Sequence, residues 1–217
     1  MRPPAKKPYH HGDLRRALVD AALTLVSQGG LAPLTLRQVA RAALVSPAAP
    51  YAHFADKSAL LAAVAEEGFH ALARSMRASA ARHRRPRARL EAMGVAYVRF
   101  AVAHPAHFQV MFSSTLADRW REPPLNQVSL STFELLVEAV RAVLTEAGHT
   151  RADPFEAALL GWSTVHGLSS LWLEGPIQRV SKTKHSIEHL ATVLAKKSAD
   201  AILTSAAPRT RDGRDKS

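Results

Sequence analysis

At 217 residues and 47% hydrophobic, the chain is long enough to bury one sizeable core or two smaller ones. Its formal charge of +11 suits a polyanionic partner, either nucleic acid or an anionic membrane surface. No run approaches the roughly 18 consecutive apolar residues of a membrane helix, and no signal-peptide core follows the basic N-terminus. Zero cysteines exclude a disulfide framework and a thiolate metal site, which fits a cytoplasmic location.

Helical periodicity recurs along the chain while strand-like alternation is nearly absent, so the predicted fold class is all-α. Residues 1–12 are Pro-rich and basic (Arg2, Lys6, Lys7) and read as a flexible arm, either a solubilising tail or a segment that tracks phosphates or the minor groove. Asp13 is expected to cap a helix with Leu14, Ala17, Leu18, Ala21, Ala22, Leu25 and Val26 on one face, ended by Gln28-Gly29-Gly30. Thr35 can N-cap a short helix carrying Leu36, Val39, Ala40 and Ala43. Leu44-Val45 makes a tight joint, and Ser46 is placed to cap a second short helix starting at Pro47. Two short helices across such a turn form a helix-turn-helix, whose second helix enters the major groove. Pro50 biases Ala49 away from helical dihedrals, so an irregular first turn is expected there. Residues 1–60 carry eight Lys/Arg against three acids.

A long helix from Lys57 carries Leu60, Leu61, Val64, Phe69, Leu72 and Met76, and links this part to the C-terminal two thirds of the chain. Between Arg74 and Arg89 stand seven arginines and no acid, read as a solvated helix end and loop past the reading head. The next helix holds Leu90, Met93, Gly94, Tyr97, Phe100 and Ala101 and stops at His104-Pro105. Pro105–Met111 reads as a short helix and Thr115–Pro124 as a polar loop. Leu130, Phe133, Val137, Val140 and Leu144 form a stripe closed by Gly148. Phe155, Leu159, Trp162, Val165, Ser169 and Trp172 share the next helix, and Ile187, Leu190, Ala191 and Leu194 the last one. The expected division is an arm at 1–12, a three-helix DNA-binding domain at 13–58, a larger helical bundle at 59–205 for effector binding and dimerisation, and a tail at 206–217.

Thr35-x-x-x-Val39-Ala40, Val45-Ser46, Tyr51-x-His53-Phe54, Asp56-Lys57 and Leu60-Leu61 together resemble the DNA-binding domain of TetR-type transcriptional regulators. Two departures stand out. The family usually has a small residue, often Gly, where this chain has Leu44. The run Pro47-Ala48-Ala49-Pro50 also offers few polar side chains to bases. The resemblance implies that Tyr51, His53 and Lys57 clamp phosphates, and all three are chemically suited to it. Thr35 at a helix N-terminus is a second phosphate contact. Base reading falls to Ala48, Ala49 and Pro50 against thymine methyls and to Arg37 or Gln38, with Ser46 and Pro47 beside them.

The segment Gly161-Trp162-x-x-x-His166-Gly167 is similar to a Trp/His-Gly signature in the ligand domain of one TetR-type subgroup, and Phe100-x-x-x-His104-Pro105-x-x-Phe108-x-x-Met111-Phe112 resembles its middle. An effector pocket is expected at Tyr97, His104, Met111, Phe112, Trp162 and His166. The structural alternative is a buried His166 satisfied by a backbone carbonyl and packed on the indole, with Gly167 marking a close helix contact. His185 and His189 have the i, i+4 spacing of a zinc pair but lack a third ligand, and a proline separates His104 from His107, so no metal is expected. No nucleophile elbow, phosphate loop or dinucleotide motif occurs, so neither an enzyme nor a cofactor is expected. The resemblance implies a homodimeric regulator, a repressor acting on a palindromic operator and answering an unidentified small molecule. Its dimer is expected to form through the last two long helices, about 154–174 and 184–204. The competing expectation is an architectural, low-specificity DNA-binding protein without an effector.

Overall fold

The computed structural model describes residues 11–120, 122–177 and 185–206. Eight helices account for most of them: α1 His11–Gly29, α2 Leu36–Ala42, α3 Lys57–Ala80, α4 Pro86–Ala103, α5 Pro105–Met111, α6 Leu125–Glu146, α7 Pro154–Leu173 and α8 Ile187–Ala206. No strand occurs among the described residues, and none of their helices is long and apolar enough to cross a membrane. The fold is all-α, with a helix-turn-helix and then a C-terminal helical domain. The start of the expected arm and the tail from 207 lie outside the described residues, as does residue 184, where the last helix was expected to begin.

Contacts group the chain into two compact units, and the grouping does not respect the linear division at 58/59. The first comprises residues up to His70 together with His104–Leu130; the second comprises Ala71–Ala103 and everything from Ser131. In the first unit, α1 packs on α2 and on α5. Its core is built from Leu18, Ala22, Val39, Phe54, Leu60, Leu61, Val64, Met111 and Leu116, all buried. Full burial of each of the larger side chains, Ala22 aside, contributes roughly 1.5–3 kcal/mol before entropy is counted. Leu116 corrects the reading of 115–124 as merely a polar loop. It sits in a single 3-10 turn, Ser114–Leu116, whose Ser113 hydroxyl accepts from the Thr115 N–H, and it pins the loop into the core.

The second unit is built on α4, α7 and α8, which pack on one another. Small residues set their spacing. A Cβ added at Gly94 would stand 3.2 Å from Ala195 Cβ and 3.4 Å from Val165 Cγ1, so glycine is what lets these helices approach. A second cluster joins Leu90, Val140, Val143, Leu144, Ala158, Ala199 and Ile202. The close contact expected at Gly167 is not there: a Cβ added at that position would meet nothing within 4 Å. Two residues assigned to apolar stripes are also outward. Leu130 is 54% and Phe155 51% exposed, because helical spacing alone does not distinguish a core-facing position from one at the edge of the stripe.

Candidate functional site

The helix-turn-helix begins as expected. Thr35 has extended dihedrals, and its hydroxyl oxygen accepts from the Gln38 N–H at 3.2 Å, a side-chain N-cap for α2. The same hydroxyl donates to Gln38 Oε1 at 3.0 Å. Leu36, Val39 and Ala40 are buried, which leaves Arg37, Gln38 and Arg41 exposed. The helix ends in a Schellman motif. Val45 N–H bonds Ala40 O at 3.0 Å and Leu44 N–H bonds Arg41 O at 3.1 Å, with Leu44 in the left-handed region at φ 58°. That is the position at which the family usually carries a small residue. The leucine side chain is 92% exposed and so gains nothing from packing.

The segment after the joint corrects the expectation of a second α-helix capped by Ser46. Ala49 N–H bonds the Ser46 carbonyl at 3.0 Å, and the only regular structure is a 3-10 turn, Ala49–Ala52, preceded by Ala48 with no side-chain cap. Pro50 is the cause: it supplies no N–H and biases Ala49 away from α dihedrals. Ser46, Pro47 and Ala48 are exposed and Ala49 is half-buried. Pro50 itself is buried and cannot offer its ring to a thymine methyl, which removes it from the expected base-reading set. Tyr51 is 55% exposed, and His53 is half-buried with its ring 6.5 Å from that of Phe54. Phe54 is buried beneath the Arg15 guanidinium, which lies 5.5 Å from the ring centroid.

The Lys57 ammonium, read from the sequence as a phosphate clamp, donates to the carbonyls of Leu31 and Ala32, at 2.7 and 3.3 Å, and so ties the start of α3 to the loop between α1 and α2. Sequence reasoning missed the residue that braces the other side. Arg119 donates to Asp56 Oδ2 at 2.7 Å, to Ser58 Oγ at 2.7 Å and to Glu122 Oε2 at 2.8 Å. Asp56 caps α3 through the Ala59 N–H at 2.7 Å. That backbone bond, then Ser58 and Arg119, holds the Asp56 carboxyl below its ordinary pKa. No local signal points from position 56 to position 119.

A third connection joins α1, α3 and α5. Arg16 pairs with Glu67 at 3.2 Å, and His107 Nε2 lies 3.6 Å from Glu67 Oε1, buried and without a hydrogen-bond partner. Burial pushes the His107 pKa down against the opposing pull of Glu67. Met111 is fully buried, and a Cβ added at Gly68 would fall 2.5 Å from its Sδ. Phe112 packs on Phe69 and Phe108, with centroids 5.8 and 5.1 Å apart. Met111, Phe112 and the exposed His104 therefore belong to the first unit, on the side that braces the helix-turn-helix.

The other three expected pocket residues come together in the second unit. Trp162 Nε1–H donates to the Tyr97 hydroxyl at 3.2 Å, and that hydroxyl lies 2.8 Å from His166 Nδ1. Burial lowers the His166 pKa and raises that of Tyr97 well above the usual phenol range. A neutral imidazole accepting from a neutral phenol is the consistent assignment. His166 thus finds its partner in a phenol 69 residues away rather than in a backbone carbonyl. Phe133 closes the group, 5.6 Å from the Trp162 ring. His185 and His189 stack with centroids 4.8 Å apart, and the described residues contain no group of three or more ligating side chains able to hold a metal ion.

A capped helix, a four-residue turn and an exposed basic face braced by buried helices define a helix-turn-helix DNA-binding regulator. Family comparisons agree. Residues 18–64 match the model described as bacterial regulatory proteins, tetR family, and residues 90–194 match the tetracyclin repressor-like C-terminal domain. The chain belongs to the TetR family of DNA-binding transcriptional regulators, which are not enzymes. No curated protein sequence matches it. Among solved structures, a protein described as of unknown function from Rhodococcus sp. RHA1 is similar, with 30% identity, a TM-score of 0.74, and 90% of this chain and 98% of that one covered. The fatty acid degradation regulator FadR from Bacillus halodurans shares the fold at 17% identity and a TM-score of 0.68, covering 91% and 97%. A tetR-family regulatory protein from Rhodococcus RHA1 does so at 22% and 0.64, covering 89% and 97%.

Proposed function

We propose that this regulator is a cytoplasmic, ligand-responsive repressor that binds a palindromic operator as a homodimer. The observation that carries the reading is the exposed strip formed by Arg37, Gln38, Ser46, Pro47, Ala48 and Tyr51, held from below by buried Phe54 and Pro50. Tyr51, His53 and the Thr35 end of α2 take the phosphate contacts, which fix register. Arg37, Gln38, Ala48 and Ala49 face the bases, which fix sequence. Lys57 contributes mainly by holding the loop before α2, with one ammonium hydrogen left for phosphate.

The dimer reading rests on α7. Leu160, Thr164, Gly167 and Leu171 lie along one helical face. Leu160 and Leu171 are 40% and 48% exposed, and the space over Gly167 is open. A second copy laid on α7 and α8 would cover this stripe, as a two-fold interface requires. The effector reading rests on Tyr97, Trp162 and His166, a polar chain within an aromatic wall that suits an apolar or amphipathic molecule with one hydrogen-bonding group.

Selection of genomic fragments by the purified protein tests the operator: a recovered palindrome supports the reading. Fragments with no shared motif would favour the architectural alternative, to which the non-polar Pro47-Ala48-Ala49-Pro50 run lends some support. Sedimentation of a Leu160→Asp/Leu171→Asp variant tests the dimer, and an unchanged dimer would place the interface on other helices.

A further inference from the structure

We propose that the arginine-rich segment Arg74–Arg89 is a second, sequence-independent phosphate-binding surface for duplex nucleic acid, separate from the helix-turn-helix. It spans the last turns of α3, the loop 81–85 and the first turn of α4. Among the described residues, Arg87 alone of its seven arginines is neutralised, by Glu91 at 2.8 Å and Asp200 at 2.6 Å. Arg74, Arg77, Arg82, Arg84, Arg85 and Arg89 are exposed, and none forms an ion pair among the described residues.

The arrangement opposes stability. Arg74/Arg77 and Arg85/Arg89 place like charges three and four residues apart on helical or near-helical backbone, where they repel. Four of the arginines gather at the N-terminal end of α4, where the helix dipole already presents positive charge and the first turn holds no acid. One or two carboxylates nearby would have relieved this; among the described residues they reach Arg87 alone. An external anion would relieve the rest. All seven side chains are Arg rather than Lys, which favours the forked, bidentate bonding that phosphate accepts.

Duplex nucleic acid fits better than a lipid surface. The one large apolar residue of the segment, Met76, is buried, as is Leu90 just after it, so the segment presents no side chain for insertion between acyl chains. The family's own partner is DNA, and phosphate contacts made without base contacts add affinity that carries no sequence information.

The test uses the full chain and a labelled random-sequence duplex, titrated between about 50 and 200 mM salt. An Arg82→Ala/Arg84→Ala/Arg85→Ala variant should lower the slope of log affinity against log salt by about 2.7, from about 0.9 per lost contact. The matching triple-Lys variant should keep the slope. The single variant Arg84→Ala, expected to lose about 0.9, serves if the triple does not fold by circular dichroism. In an Ala48→Glu background, with the reading head disabled, the arginine-dependent part of the slope should persist; Ala48→Glu without effect of its own would count against the reading head, not against this surface. An unchanged slope in a folded triple-Ala variant overturns the proposal, as does a triple-Lys variant that loses as much as triple-Ala. Arginine-dependent binding to phosphatidylserine vesicles, with the DNA slope unchanged, would overturn it in favour of a membrane.

Discussion

Leu44 is the position at which the chain departs most sharply from what its backbone asks for. A non-glycine residue in the left-handed region carries a steric penalty of about 1–2 kcal/mol. The Schellman bonds from Leu44 and Val45 require that conformation, so the penalty cannot relax without losing the end of α2. The side chain is 92% exposed, so removing it forfeits little burial. Leu44→Gly should therefore recover the penalty. Against this stands the greater freedom of glycine in the unfolded chain, about 0.4–1 kcal/mol. The net expectation is a gain of about 0.5–1 kcal/mol, which for a chain of this size raises the melting temperature by about 1–4 °C. Leu44→Ala keeps the Cβ and should change stability little. Leu44→Ile adds a branch at Cβ and should lose about 1 kcal/mol or more.

Thermal unfolding monitored by circular dichroism gives the ranking Gly above Leu and Ala, with Ile last. Amide hydrogen exchange at Val45, whose N–H closes the motif on Ala40, should slow in Leu44→Gly if the gain is local. A lower melting temperature for Leu44→Gly than for the parent would refute the argument from strain. If Leu44→Ala leaves stability unchanged but weakens operator binding, the exposed side chain is held under strain for contact with DNA.

Arg119→Ala should speed amide exchange in the first turn of α3 and lower DNA affinity without loss of helix content, since the two side-chain bonds to Asp56 and Ser58 at that turn disappear; unchanged exchange at residues 58–60 would show the clamp to be ornamental. Gly68→Ala should destabilise by about 0–2 kcal/mol, because overpacking against Met111 (about 1–3) is offset in part by the roughly 1 kcal/mol that alanine gains in a helix; a more stable variant would mean the Met111 side chain swings clear. His166 has a folded pKa depressed by burial, so below its unfolded value the unfolded chain binds the extra proton. Stability should hold above about pH 6.5 and fall as pH drops through that value toward the lower folded one. In His166→Gln this acid slope should shrink without vanishing, since His107 is depressed the same way; an identical slope would remove His166 from the linkage.

The helix-turn-helix was legible because its signals are local. Thr35 is three residues from the amide it caps, and Leu36, Val39 and Ala40 lie close together on one short helix. The irregularity at Ala49 was readable too, since Pro50 acts on its own neighbour, but not the reduction of the expected second helix to a 3-10 turn. What the sequence hid are pairings made across long separations. Arg119 meets Asp56 and Tyr97 meets His166 through backbone paths that no periodicity encodes. Exposure was hidden for a different reason. Leu130 and Phe155 satisfy helical spacing as well as any core residue, and only the neighbouring helices decide which positions are covered. Gly167 misled because a glycine marks equally a close contact or an open surface.

The grouping of 104–130 with the helix-turn-helix bears on how an effector could act. A DNA-binding domain ending at residue 58 would lack Leu60, Leu61 and Val64 as well as Phe108, Val110, Met111 and Leu116, all of which are buried in the same unit. The reading head is therefore stabilised by residues that the sequence places in the middle of the ligand domain. The chain passes between the two units three times: within α3 at 70/71, at the joint between α4 and α5, and within α6 at 130/131. Two of these crossings lie within continuous helix. The third is His104-Pro105, where the helix must break. Tyr97 and Phe100 lie on α4 within two turns of that break. An effector that displaced Tyr97 from His166 would act on the helix that leads directly into α5, and α5 packs on α1 beneath the reading head. If the proposed effector weakens operator binding, linkage requires the operator to weaken effector binding by the same factor.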